Sequence, residues 1–228
     1  MKKSFVMANA IMLALILIFD VWYMFGGGLF AKSIASIMFV ITGLINFMYC
    51  IKNKTKLKFP IWMMVALIFA MLGDILLVLN FYLGAAAFAV AHIFYFVSYC
   101  MLEKMNRRDF ICGISISVIG LSVILFTPFL DFEVALMQSV CCVYAIIISF
   151  MVGKAISNLV KEKSYINIII AIGSILFIFS DLMLMLNMFG DIPGTNYLCL
   201  GTYYPAQFLL ALSLFVYGSI NLSKKRKI

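Results

Sequence analysis

Two aspartates stand inside segments otherwise apolar enough to cross a membrane. Asp74 lies in Gly73-Asp74-Ile75-Leu76-Leu77-Val78-Leu79-Asn80, and Asp181 lies in Ser180-Asp181-Leu182-Met183-Leu184-Met185-Leu186-Asn187. Both read small-Asp-x-x-Leu-x-Leu-Asn, 107 residues apart. A carboxylate in hydrocarbon is expensive, so an intramembrane aspartate marks function by default. Two at matching places point to one site built from two halves. The chemistry open to such a pair is proton transfer, one carboxyl giving a proton while the other carries charge.

Five further polar residues interrupt apolar runs: Asp20, Lys32, His92, Tyr95 and Gln207. Ala91-His92 is answered by Ala206-Gln207 in the second half. Tyr95 follows His92 by three residues, which puts both on one helix face. Each has a purely structural reading beside the functional one. His92 would be a satisfied buried donor, Tyr95 a packing ring, and Gln207 a cross-helix hydrogen-bonder. Lys32 either balances an aspartate or holds a phosphate. Asp20 either joins the site or caps the break at Gly26-Gly27-Gly28.

Other chemistries are excluded. The chain has one histidine, too few for a multi-histidine zinc hydrolase, and it contains no GxSxG, P-loop or HExxH. Its six cysteines, at 50, 100, 112, 141, 142 and 199, have no metal-type spacing. No metal and no cofactor is expected.

Helices must position these groups. Of the 228 residues 66% are hydrophobic and 11% charged, and the mean hydropathy is +1.15. That is an all-α integral membrane protein. Eight spans are expected, at about 4–25, 29–51, 59–79, 83–102, 110–127, 132–153, 165–188 and 198–221, in a single membrane domain over 1–228. Met1-Lys2-Lys3 before an apolar run resembles a signal peptide, but no small-x-small site follows, so the run is kept as the first span. Sixteen of the 17 cations fall in the termini and alternate loops, and the opposite loops hold none. The charge of +8 therefore sets topology rather than nucleic-acid binding, and both termini are expected in the cytoplasm of a multi-pass cell-membrane protein. Helical rise puts Asp20, Asp74 and Asp181 about 9 Å from the outer helix ends, with His92 and Gln207 a little deeper. The polar groups thus form one layer. The repeat is parallel, spans three and four matching seven and eight.

The chain resembles the YhhN-like lysoplasmalogenases. The resemblance rests on Lys32, on Met71-Leu72-Gly73-Asp74-Ile75-Leu76-Leu77, on Gly84, Phe88 and Ala91-His92-Ile93-Phe94-Tyr95, on Gly173 through Asp181, and on Ala206-Gln207. Lys32-Ser33 departs from the family's usual Lys-Pro. The resemblance implies hydrolysis of the vinyl ether of a lysoplasmalogen to a fatty aldehyde and a glycerophospho-ethanolamine or -choline. Asp74 and Asp181 would be the acid–base pair, Lys32, His92, Tyr95, Gln207 and Asp20 would support or bind substrate, and the partners would be a lysophospholipid and membrane lipid. Two other classes fit the residues: a proton-coupled carrier, since parallel repeats and intramembrane carboxylates also suit transport, and a lipid-binding protein without turnover. Aldehyde release separates the first reading from both.

Overall fold

The computed structural model describes residues 2–225, and the tail side chains of Lys224, Lys225, Arg226 and Lys227 lie outside what it describes. The described residues contain helices and no strand. The helices are α1 (Lys2–Trp22), α2 (Gly28–Lys52), α3 (Lys58–Leu79), α4 (Phe81–Leu102), α5 (Arg107–Phe126), α6 (Ala135–Lys161), α7 (Tyr165–Phe189) and α8 (Thr195–Lys225). Their starts follow from capping. Asn80 accepts from the Leu83 N–H at 3.1 Å, opening α4 directly after α3. Asn106 accepts from the Arg108 N–H at 2.9 Å while Asp109 takes the Asn106 N–H at 2.8 Å, a capping box for α5.

A π-helical turn, Tyr23–Gly27, interrupts the first helical run. Gly26 has φ 108° with no atom near its absent Cβ, so the backbone angle and not space demands glycine there. The run then folds back on itself. Asn9 and Asn46 exchange two amide hydrogen bonds of 2.8 Å each, and the rings of Phe5 and Tyr49 meet at 4.7 Å. With Lys2–Lys52 counted as one run, the described residues hold seven helices long and apolar enough to cross a membrane.

One expected loop boundary is wrong. Span six was placed at 132–153, with Lys154 in a loop. Lys154 instead lies inside α6, fully buried. Its ammonium donates to Asp109 at 2.8 Å and to the Lys104 carbonyl at 3.1 Å. A cation so satisfied can stay helical where the sequence alone reads a break. Lys161 pairs with Glu103 at the same end of the bundle, and the Tyr217 hydroxyl donates to the Lys56 carbonyl at 3.2 Å. The cation-bearing connections therefore gather at one end. At the other, the Asp131 N–H donates to the Phe189 carbonyl at 2.8 Å.

The packing repeats. Within the halves α1 lies on α2, α2 on α3 and α3 on α4, as α5 lies on α6, α6 on α7 and α7 on α8. Between the halves α2 packs on α8 and, correspondingly, α6 on α4. The helix pairs are brought close by glycines: a Cβ on Gly84 would strike the Leu77 backbone, and one on Gly73 would meet the Phe88 ring at 2.7 Å. One exception to the symmetry is α5. Its substantial helix contacts, among the described residues, are with α6 alone, whereas α1 also touches α8.

Candidate active site

The polar residues gather in two clusters near the end of the bundle opposite the cations. The first is centred on Asp181 of α7. Tyr144, from α6, donates its hydroxyl to Asp181 Oδ2 at 2.6 Å. That hydroxyl also lies 2.7 Å from Nε2 of His92, from α4. His92 Nε2 is itself 3.6 Å from Asp181 Oδ2. With the Nε2–H tautomer the three form a relay, imidazole to phenol to carboxylate. His92 is fully buried, and its Nδ1 has no protein partner among the described residues.

The second cluster is centred on Asp74 of α3. The Ser36 hydroxyl donates to Asp74 Oδ2 at 2.6 Å, and the Lys32 ammonium stands 3.5 Å from Oδ1. Lys32 and Ser36 are one helical turn apart on α2, so one face delivers both. Tyr23 offers its ring to the same ammonium, 5.6 Å from the centroid. Asp20 of α1 is buried nearby, and its Oδ1 has no hydrogen-bond partner among the described residues. Among the described residues, Tyr95 and Gln207 make no hydrogen bond to either carboxylate. They bond to each other, hydroxyl to Oε1 at 2.7 Å, and tie α4 to α8.

The two aspartates, expected to form one site, take separate partners: among the described residues they share no hydrogen-bond or ion-pair partner. Aromatic rings lie beside both clusters. Phe88 presses on Gly73, next to Asp74, and also lines the cavity that Asp181 faces. Phe88, Phe177 and Tyr203 meet edge-on at centroid distances of 5.3 to 6.2 Å, and Phe177 packs on the His92 ring at 4.7 Å.

The environments differ accordingly. Asp74 is sealed, with 4% of its side chain exposed, while Asp181 retains 16%. That exposure faces a cavity of about 410 Å³ between α3, α4, α5, α6 and α7. Asp181 is the sole carboxylate in its wall, with Tyr144, Cys141 and Ser149 the other polar residues. The rest of the lining is aliphatic or aromatic, apart from Gly120. Among the described residues, no three His, Cys, Asp or Glu side chains converge as metal ligands.

A model of the YhhN family matches residues 29–214. The chain belongs to the YhhN family. The matched segment runs from the start of α2 into α8 and takes in both carboxylate clusters except Asp20 and Tyr23. This YhhN protein is also 31% identical to the lysoplasmalogenase TMEM86A of Homo sapiens over an alignment of 157 residues that covers 65% of this chain and 63% of the human protein. No solved structure matches it.

Two residues of the site were not expected from sequence, Tyr144 and Ser36. Each lies on the second helix of its half, 37 and 38 residues before the aspartate it serves. That near-match, one residue off the 107-residue repeat, was the available signal. It was hidden because one position is a phenol and the other a small alcohol.

Proposed function

We propose that this YhhN protein is a lysoplasmalogenase-type hydrolase, cleaving the vinyl ether of a lysolipid to a fatty aldehyde and a free glycerol hydroxyl. The observation that carries this reading is the Asp181–Tyr144–His92 relay on the wall of an otherwise apolar cavity. A vinyl ether has a long hydrocarbon arm ending in a group that reacts by gaining a proton on carbon. The site offers an apolar chamber and a proton relay in contact with it. The name of the human relative points the same way.

In this reading Asp181 delivers a proton to the alkenyl carbon beyond the ether carbon. The ether carbon becomes an oxocarbenium ion, which the carboxylate left behind stabilises, as in glycoside hydrolysis. Water adds to that carbon and returns one proton to Asp181. The hemiacetal then breaks its bond to the glycerol oxygen, which takes up a proton, and the carbonyl remains as aldehyde. One water is consumed overall. Tyr144 and His92 hold the carboxyl and carry its proton. Asp74, with Lys32 and Ser36, is the second carboxylate, and it sets the charge balance of the site. Purified protein should release aldehyde from 1-alkenyl lysophosphoethanolamine or lysophosphocholine, and none from the 1-acyl counterparts. Lysolipid bound without aldehyde would replace this reading with a lipid-binding protein; uptake into vesicles without turnover would replace it with a carrier.

We also propose that the chain crosses the membrane eight times as one domain, with both termini in the cytoplasm. The fold-back at Gly26 supports counting α1 and α2 separately. The gathering of cations at one end supports the orientation. A cysteine placed at Asp191 should react with an impermeant thiol reagent from outside intact cells, and one at Lys56 should not. Labelling of both from one side would sink the arrangement.

A further inference from the structure

The cavity wall is uneven. On the α4 and α6 sides its residues are buried or half-buried, none exposed. On the α5 and α7 sides it includes Ile119, 66% exposed, and Ile175 and Phe179, 46% and 39% exposed. In a bilayer those exposed faces meet lipid. Both helices line the cavity, yet α5 packs substantially on α6 alone and makes no such contact with α7. A helix held along one edge beside a hollow leaves a seam along the other edge.

We infer that the seam between α5 and α7 is a lateral portal through which the hydrocarbon chain of a single lysolipid slides from the bilayer into the cavity, and that Gly120 sets the length of chain accepted. This rests on the function proposed above and names its route and tail subsite. The occupant follows from the chemistry of the wall. A hollow flanked by exposed aliphatic side chains, with proton-transfer groups at Asp181, suits an apolar chain that carries its reactive bond at one end. A water-soluble substrate would find no polar path there. Along α7 the lining extends from Ile175 to Phe189, with Asp181 about 9 Å from the one end and about 12 Å from the other at helical rise, so the first part of a chain can lie against it with a reactive bond at Asp181 and the rest can pass out between the helices.

Gly120 of α5 lines this space, and a Cβ there would meet just the Ala145 Cβ, at 3.8 Å. Larger side chains at this position therefore project into the hollow without displacing the core. Each methylene refused by the cavity removes apolar burial from bound substrate.

The test has two readouts. The first is photolabelling with a 1-O-alkyl lysophosphocholine carrying a diazirine at the chain end, which has no vinyl ether to cleave. Labels should fall on α5 and α7 peptides around Ile119 and Ile175. Gly120→Phe should reduce them about tenfold or more, Gly120→Leu less, and Gly201→Leu, on an open face of α8, not at all. The second readout is kcat/KM. Gly120→Phe should lower it about tenfold or more for a hexadecenyl lysolipid and leave a butenyl analogue nearly unchanged. Labels elsewhere, or equal loss on both chain lengths, overturn the portal. Labels in the groove with no aldehyde from any alkenyl lysolipid overturn the hydrolase and leave the portal standing.

Discussion

Asp181→Asn should abolish nearly all aldehyde release while leaving the protein folded. Asparagine keeps the shape of the side chain and can still accept from the Tyr144 hydroxyl, so the 2.6 Å contact survives. What disappears is the proton. General acid–base groups contribute about 10²- to 10⁴-fold to rate, and protonation of carbon is the difficult step here, so the loss should approach the upper end. It should fall on kcat, because the apolar cavity that holds the chain is untouched. Tyr144→Phe should lose less, since Asp181 keeps its proton and loses only its tether and its link to His92. The measurement is single-turnover aldehyde release beside binding of a non-cleavable alkyl ether. An Asp181→Asn protein with near-normal kcat on a true substrate would falsify Asp181 as the acid.

Lys32→Met should destabilise the protein strongly, and Asp74→Asn added to it should restore most of the loss. Lys32 and Asp74 are both buried, 3.5 Å apart. Removing one partner of a buried pair strands the other charge, at about 3–5 kcal/mol, whereas replacing both by neutral groups is often close to neutral. Methionine matches the lysine stem in length, so packing changes little. Thermal unfolding in detergent reads the effect directly: a large fall in Tm for the single variant and a substantial recovery for the double. If both variants unfold alike, the ion pair is not what holds this corner. The double variant also separates roles. Kept activity would make Asp74 and Lys32 a charge-balanced support, and lost activity in a protein of recovered stability would make Asp74 a working member of the site.

The helices were legible because hydrocarbon leaves a polypeptide few alternatives. Apolar runs of some twenty residues, the Asn80 and Asn106 caps and the glycine break at Gly26 each announce themselves locally. Lys154 did not, because its neutralising partner Asp109 lies 45 residues away. Asp74 and Asp181 stood out through repetition, and Lys32 and His92 through the rarity of charge in such segments. Their grouping was less legible. Equal depth suggested one chamber, but depth says nothing of azimuth, and the two carboxylates take their partners from different helices. The same limit explains Gln207, which matches His92 in the repeat yet bonds to Tyr95 instead of a carboxylate. Tyr144 was invisible because an aromatic residue in a membrane helix is ordinary until a carboxylate is found beside it.

The order of partners along the chain bears on how the protein is made. Lys32 and Ser36 precede Asp74, and His92 and Tyr144 precede Asp181. During synthesis each carboxylate leaves the ribosome after the groups that will satisfy it. A lone aspartate at the middle of an inserting helix is penalised by about 2.5–3.5 kcal/mol, which is enough to stall or misorient a marginal segment. Here α3 emerges when α2 is already available to receive its charge, and α7 when α4 and α6 are. Moving either aspartate's helix ahead of its partners, as a circular permutation would, exposes that penalty at the translocon even though the finished bundle would be the same.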